Sequence, residues 1–119
     1  MKGQKLFVRP IEAADADAIR AFAARFGGPP EIRSGLVGKL VGDLAAVLSM
    51  ELETNGIRLV GLVVAEELRR KRVGRVMLNE LASLAAKLER AWIVADVEHR
   101  LFLERVGFVE EDGVMRRRV

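Results

Sequence analysis

A basic loop near the middle of the chain is the segment best suited to bind an anion. The residues before it, 57–65, are apolar and rich in valine, which predicts a buried strand. After it, apolar residues at helical spacing over 76–88 predict an amphipathic helix. The loop itself consists of Arg69, Arg70, Lys71, Arg72, Val73, Gly74 and Arg75. Because unpaired N–H groups and the dipole at the start of a helix attract anions, the sequence predicts a phosphate-binding loop.

The same basic loop is also compatible with a solvated helix N-terminus that binds no ligand. Basic residues at that end of a helix oppose the helix dipole, at a cost of roughly a few tenths of a kcal/mol each. An anionic ligand would offset this cost, and for that reason we favour the anion-binding interpretation.

Composition limits the classes of protein that the chain can represent. A length of 119 residues predicts one domain, 1–119, with a single core. The absence of cysteine excludes disulfides, thiolate metal sites and a cysteine nucleophile, and one histidine makes us expect no metal site. No apolar run is long enough to span a membrane and no signal peptide is recognisable, so we expect a cytoplasmic protein. The net charge of +3 is small, and the basic residues of the chain are clustered. This pattern favours a small polyanion over nucleic acid as the ligand.

The hydrophobic pattern predicts an alternation of strands and helices along the chain. Strands are expected over 6–9, 36–41, 44–53, 57–65, 91–97, 108–110 and 114–119. Helices are expected over 16–26, 76–88 and 98–106. The helix between the fourth and fifth strands is a crossover, so these two strands should be parallel, while the hairpins make antiparallel pairs. The predicted fold class is α/β (α+β): a mixed, mainly antiparallel sheet with a central parallel strand pair and flanking helices.

This order of elements, together with two motifs, resembles the GNAT N-acetyltransferase superfamily. The family's acetyl-CoA loop is Arg/Gln-x-x-Gly-x-Gly/Ala, and residues 69–74 are similar to it, with Arg72 at the first glycine position. The family's tail pattern is Asn-x-x-Ala-x-x-Phe-Tyr-x-x-x-Gly-Phe, and residues 96–108 are similar to it, with Asp96, His99 and Leu103 as departures. The positions that match are Arg69, Gly74, Phe102, Gly107 and Phe108.

The resemblance implies that acetyl-CoA is the co-substrate, without a metal. Its pyrophosphate would bind the amides of residues 70–75, and its pantetheine arm would pair with one strand, which requires the 57–65 and 91–97 strands to separate. The residues expected to bind it are Leu62, Val63, Val64, Arg69, Arg70, Lys71, Arg72, Val73, Gly74, Arg75, Asp96 and Phe102. A glycine at the position of Arg72 allows close backbone approach and a free φ, whereas Arg72 could serve there if its φ is negative, and it would add a cation beside the phosphate.

The resemblance also implies direct attack of an amine on the thioester, assisted by a general base and a backbone N–H. Asp96 and Glu51 are the candidate bases. Glu53, two residues after Glu51 on the same predicted strand, is a further carboxylate. Leu103 stands where the family usually has its tyrosine acid, and the chain has no tyrosine. Asp96 could instead cap a helix, and the two glutamates could be solvated charges on a strand.

The acceptor amine is not specified by the sequence, and it could belong to a small molecule or a protein. Residues 27–34 are too few, and too rich in glycine and proline, for the second helix that the family usually has there. We therefore expect an open side, covered by a second subunit of a homodimer or used by a large acceptor such as a protein terminus. The alternative function is a non-catalytic GNAT-like module for acyl-CoA binding or assembly, and a nucleic-acid binder is the weakest interpretation.

Overall fold

The computed structural model describes residues 5–69 and 71–119. Its strands are β1 (Leu6–Pro10), β2 (Gly35–Leu40), β3 (Asp43–Glu53), β4 (Gly56–Val64), β5 (Trp92–Asp96), β6 (Val109–Glu111) and β7 (Val114–Arg118). Its α-helices are α1 (Ala16–Phe26), α2 (Val73–Lys87) and α3 (Arg100–Arg105). Short 3₁₀ turns precede α1 and α3, and another follows β4.

One seven-stranded sheet with the order β1-β2-β3-β4-β5-β7-β6 forms the centre of the fold. Its neighbouring strands are antiparallel except for β4 and β5, which are parallel and are joined through α2. A parallel pair needs such a crossover, whereas the other neighbours are joined by short turns or by chain reversal. The predicted fold class, including the central parallel pair, is therefore confirmed.

The larger core lies between the sheet and the helices α2 and α3. It contains α2 residues such as Met77 and Leu81, together with Leu48 of β3, Ile57 of β4 and Met115 of β7, all completely buried. Burial of this many aliphatic side chains is the main favourable contribution to folding. Because α2 covers β4 and β5 from this side, the core supports the strands that form the site described below.

Helix α1 lies on the other side of the sheet, over a smaller apolar cluster. Phe22 packs there with Val47 of β3 and Ala65, which follows β4. The partly buried Phe26 and Val63 also pack against this cluster. In the part of the chain that the structure describes, no helix is long and apolar enough to cross a membrane.

Most predicted boundaries differ from the structure by one or two residues, and two of the differences have a physical explanation. Helix α2 begins at Val73 rather than at 76, because its first turn belongs to the charged loop and shows no apolar period. Strand β2 ends at Leu40, and Val41 lies instead in the turn to β3, with a positive φ of 51°. Gly42 also has a positive φ, so this turn has the backbone twist that suits a two-residue hairpin.

The N-terminal strand is joined to the start of α1 by a partly buried ion pair. Arg9 donates two hydrogen bonds of 2.7 Å to the carboxylate of Asp15, which also accepts one of 2.7 Å from the backbone N–H of Glu12. The side chain of Asp15 is only 5% exposed. These contacts, led by the hydrogen bond from Arg9, lower the pKa of Asp15 to about 2.

Replacement of Asp15 by asparagine is expected to lower the free energy of unfolding at pH 7 by about 1–2 kcal/mol, because the ionised carboxylate is favoured in the folded state. The pKa of Asp15 is lower when folded than when unfolded, so its contribution is present above 3.8 and is lost as the pH falls toward about 2. Urea unfolding between pH 7 and pH 2.5 tests this. Asp17→Asn is the control because that side chain is fully exposed, and a pH-independent difference between the wild type and Asp15→Asn would contradict the assignment.

Candidate functional site

A cleft opens where β4 and β5 separate. The two strands are paired only from Gly56↔Trp92 to Arg58↔Val94, although β4 continues to Val64. The cleft has a volume of ≈ 790 Å³ and reaches from the basic loop to the end of β5. The strands therefore separate as the predicted mode of pantetheine binding requires.

The backbone of β4 presents hydrogen-bonding groups to this cleft. The N–H of Ala65 donates to the carbonyl of Ala45, and antiparallel pairing then alternates along the two strands. By this alternation Val63 is bonded to β3, whereas the N–H and C=O groups of Leu62 and Val64 point away from β3 toward the cleft. Of the three predicted β4 residues, the structure thus favours Leu62 and Val64 for backbone pairing.

A β-bulge interrupts β4 at the inner end of the cleft. The register passes from Ser49↔Gly61 to Met50↔Leu59, so that Val60 is the extra residue. Val60 is 54% exposed, and both it and its neighbours line the cleft. Bulges redirect the backbone locally and are frequent next to active sites. The first N–H on the cleft side after the bulge belongs to Leu62.

The basic loop forms the outer end of the cleft. The Nε of Arg69 donates to the carbonyl of Val64 over 3.3 Å, which holds this guanidinium against the end of β4. Helix α2 follows, and its first turn lines the cleft with Val73, Gly74 and Arg75. The amide groups of a first helical turn have no acceptor within the helix, so they are available to an anion.

Arg72 precedes α2 with a φ of 64° and a ψ of 12°, in the left-handed region. The negative φ that we set as the condition for Arg72 to serve in a phosphate-binding loop is therefore not observed. The left-handed conformation places the carbonyl of Arg72 to accept the first bond of the helix, from the N–H of Val76 at 3.0 Å. Glycine adopts this conformation at the lowest cost, and glycine is the residue that the family's acetyl-CoA loop has at this position.

Replacement of Arg72 by glycine is expected to raise the free energy of unfolding by about 0.5–1 kcal/mol, since an L-residue loses roughly that much in the left-handed region. Urea denaturation measures the change. Lys71→Gly is the matched control because Lys71 lies next to Arg72 but has no positive φ. Equal effects of the two substitutions would show that the strain at Arg72 is not significant.

Gly74 allows α2 and α3 to approach each other. A Cβ atom at Gly74 would lie 3.1 Å from Cζ of Phe102 and 3.6 Å from Cδ2 of Leu62. The ring of Phe102 thus takes the space of the missing side chain, and all three residues line the cleft. The matching glycine and phenylalanine of the two motifs, 28 residues apart in sequence (102 − 74), are in contact in the structure.

The remaining loop residues have different positions. Arg75 lines the cleft, but its Nη2 donates to the carbonyl of Arg105 over 3.3 Å and so ties α2 to α3. Lys71 is exposed and does not line the cleft. Arg70, also predicted to bind the cofactor, lies outside the described residues. The roles of these residues in acyl-CoA binding remain predictions.

The two candidate bases lie in different places. Asp96 lines the cleft at the end of β5, whereas Glu51 is exposed on β3 and is not part of the cleft lining. The interpretation of Asp96 as a side-chain helix cap is not supported, because its carboxylate makes no capping hydrogen bond. Asp96 lies instead 3.4 Å from Nη1 of Arg58.

Arg58 links the carboxylates around the inner end of the cleft. Its Nε donates to Glu53 over 2.8 Å, and Glu51 is its register partner on β3. The pKa of Arg58 is raised, chiefly by the hydrogen bond to Glu53, with Coulombic attraction from Glu53, Asp96 and Glu51. Glu53 is therefore an ion-pair partner rather than a solvated strand charge.

Several lining residues were not predicted from the sequence. Phe26 enters the cleft from α1, Leu68 from the turn after β4, and Glu98 and His99 from the turn before α3. His99, a departure from the family's tail pattern, is exposed and lines the cleft. Its place within the tail motif was the only sequence signal for this position.

The connection between α1 and β2 is short. Residues 27–34 connect α1 to β2 without forming a helix or strand. The expectation of a short connection at 27–34 is therefore confirmed.

On β5 and β7, the guanidinium groups of Arg116 and Arg118 each lie 5.9 Å from the ring of Trp92.

Comparison with known proteins gives a family and a set of similar structures. The model of the acetyltransferase (GNAT) family matches residues 5–108. A search of curated proteins found no match. Among solved structures, the ribosomal-protein-S18-alanine N-acetyltransferase from Escherichia coli has a TM-score of 0.79 at 17% identity, covering 97% of this chain and 94% of that chain.

Two further similar structures contain the coenzyme. The GNAT family N-acetyltransferase YhbS from Escherichia coli, in complex with CoA, has a TM-score of 0.76 at 16% identity over 99% of this chain and 83% of that chain. The PaiA N-acetyltransferase from Thermoplasma acidophilum, in complex with coenzyme A, has a TM-score of 0.75 at 13% identity over 97% and 99%. At such low identities, these similar structures show only a common fold. The family itself is shown by the family model, which covers most of the sequence. The chain belongs to the GNAT acetyltransferase family.

Proposed function

We propose that this protein transfers an acetyl group from acetyl-CoA directly to an amine. The observation that carries the proposal is the cleft between β4 and β5, which joins a basic loop at the start of α2 to the carboxylate of Asp96. In this proposal the pyrophosphate binds at the outer end, and the pantetheine arm extends along the cleft. Our expectation of a cytoplasmic location remains a prediction.

The proposed binding mode uses backbone groups more than side chains. The amides of Val73, Gly74 and Arg75 would bind the pyrophosphate at the positive end of α2, with the charge of Arg69 beside them. The pantetheine amides would pair with Leu62 and Val64, whose backbone groups point toward the cleft. Phe102 would line the same channel, since it already contacts Gly74.

The proposed chemistry is a single displacement. The amine nitrogen attacks the thioester carbonyl carbon, the C–S bond breaks, and the CoA thiolate leaves with the bonding electrons. Asp96 accepts the proton that the amine loses, and the N–H of Leu62 donates to the carbonyl oxygen as negative charge develops. The thiolate takes a proton from water, because no tyrosine is present in the chain.

The acceptor is proposed to be large, such as the amine of a protein terminus, or else a second copy of the chain covers the open side. The short connection 27–34 supports both versions, because it forms no second helix that could cover the acceptor side. Light scattering at increasing protein concentration separates them, since a monomer would exclude the homodimer.

A non-catalytic acyl-CoA-binding module remains the second candidate function. The observations that favour it are the missing tyrosine and the ion pair that Asp96 makes with Arg58. Both candidates require acetyl-CoA to bind, but only the enzyme releases CoA thiol when an amine is added. Thiol release across a panel of amines and peptide N-termini therefore distinguishes the two.

Replacement of Arg69 by alanine is expected to raise the dissociation constant of acetyl-CoA by about 10-fold, because a charge-assisted contact of roughly 1.5 kcal/mol is lost. Isothermal titration calorimetry measures this. Arg33→Ala is the control, since it removes an exposed arginine that does not line the cleft. An unchanged affinity in Arg69→Ala would show that the loop is assigned wrongly, and no binding by the wild type at about 0.5 mM would reject both candidate functions.

A further inference from the structure

Arg58 occupies the point where the sheet divides. It is the last residue of β4 that is paired with β5, through Arg58↔Val94. Two residues later along β5, Asp96 lies beside the open cleft, while β4 turns away through the bulge at Val60. The backbone of Arg58 therefore belongs to the paired part of β4 and β5, while its guanidinium lies where the two strands have separated.

The guanidinium of Arg58 bridges three strands. Its Nε donates to Oε2 of Glu53 on β3 over 2.8 Å, and its Nη1 lies 3.4 Å from Oδ1 of Asp96 on β5. The side chain of Arg58 is 33% exposed, whereas that of Asp96 is 81% exposed. Glu53 thus holds one edge of a planar, partly buried cation, which leaves another edge directed at a solvated carboxylate.

Asp96 has few other contacts that could orient its carboxylate. The carboxylate of Asp96 makes no helix-capping hydrogen bond. Among the described residues, the side chain that donates a hydrogen bond to it is Arg58. An aspartate with so exposed a side chain otherwise samples several rotamers. A guanidinium is suited to fix it, because its donors lie in one plane at set angles.

We propose that Arg58 is a positioning residue, which holds the Asp96 carboxylate toward the acceptor amine at the inner end of the cleft. This rests on the proposed function, in which Asp96 is the base. Glu53 supports the arrangement from β3 by fixing the guanidinium. Arg58 does not line the cleft, so its effect on the reaction passes through Asp96.

The expected signature is a loss of turnover without a loss of coenzyme binding. In Arg58→Gln, kcat for the acceptor falls by about 10-fold, while the dissociation constant of acetyl-CoA stays within about twofold. Arg58→Lys retains the charge but not the planar fork, so it recovers only part of the rate. Arg20→Gln is the control, because it breaks an exposed ion pair with Asp17 and neither residue lines the cleft.

A double-mutant cycle tests the route through Asp96. If Arg58 acts by positioning Asp96, adding Arg58→Gln to Asp96→Asn produces no further loss of kcat. Multiplicative losses, or an equal loss of acetyl-CoA affinity, would overturn the proposal. If Arg58→Gln does not fold, Glu53→Gln, which releases the guanidinium from β3, is combined with Asp96→Asn in the same cycle, and multiplicative losses there would equally overturn it.

The same measurements separate this proposal from the proposed function. No thiol release by the wild type with any amine would reject the transferase activity itself. Turnover that is unaffected by Asp96→Asn would reject Asp96 as the base and, with it, the role of Arg58. Turnover that depends on Asp96 but shows independent effects of Arg58 would reject the positioning role alone.

Discussion

Asparagine at position 96 is expected to lower kcat for acetyl transfer by about 10²–10⁴-fold, because an amide cannot accept the proton of the attacking amine. Asp96→Asn keeps the size of the side chain, and an amide oxygen can still accept a hydrogen bond from Arg58. The dissociation constant of acetyl-CoA should therefore remain within about threefold of the wild type, which places the effect on the chemical step. Thiol release under saturating acetyl-CoA, with calorimetry for binding, gives both quantities.

A substitution of Glu51 tests whether the position of the carboxylate in the cleft, rather than its negative charge near Arg58, determines the effect. Glu51→Gln also removes one negative charge near Arg58, but Glu51 is outside the cleft lining. We expect this variant to lose less than about threefold in kcat, since it does not reach the acceptor. A larger loss in Glu51→Gln than in Asp96→Asn would make Glu51 the base and would place the acceptor on the β3 side of Arg58.

Truncation of Leu48 to alanine is expected to lower the free energy of unfolding by about 2–5 kcal/mol, because it creates a cavity in the core between the sheet and α2. Leu48 is completely buried and is the register partner of Leu62 on the strand that forms the cleft. A loss of this size should lower the thermal midpoint by about 10 °C or more. Urea denaturation and differential scanning calorimetry measure the two values.

Leu52→Ala provides the matched control for this prediction. It is the same substitution four residues later on the same strand, at a side chain that is 53% exposed. Its expected cost is below about 1 kcal/mol, since little apolar surface is removed from the interior. Similar losses in the two variants would mean that Leu48 does not lie in a tightly packed core.

Much of the architecture could be predicted from local patterns. Helix α1 has its expected bounds, and the parallel pairing of β4 and β5 follows from the long connection between them. The boundary of α2 was less predictable, because the residues of its first turn contribute their backbone amides rather than an apolar face. Val41 was placed in a strand because valine favours strands, whereas the hairpin geometry requires a positive φ there.

The candidate site was predictable in its coenzyme half and less so in its acceptor half. Arg69 and Gly74 could be located because they follow a motif that is contiguous in sequence. The cluster of Glu53, Arg58 and Asp96 could not, because its members come from three strands and their contact depends on register. The sequence left Glu51 and Asp96 as alternatives, and only the distance of each from the cleft separates them.

The sequence by itself determined the family, the order of the elements and the presence of a basic loop between a strand and a helix. These properties depend on residue type and on spacing along the chain. Only the tertiary structure decided that β4 and β5 separate after Arg58, which β4 amides point into the cleft, and that Arg72 has a left-handed backbone. These features depend on strand register, on one bulge and on the packing of Phe102 against Gly74, and such contacts between distant residues leave no local pattern in the sequence.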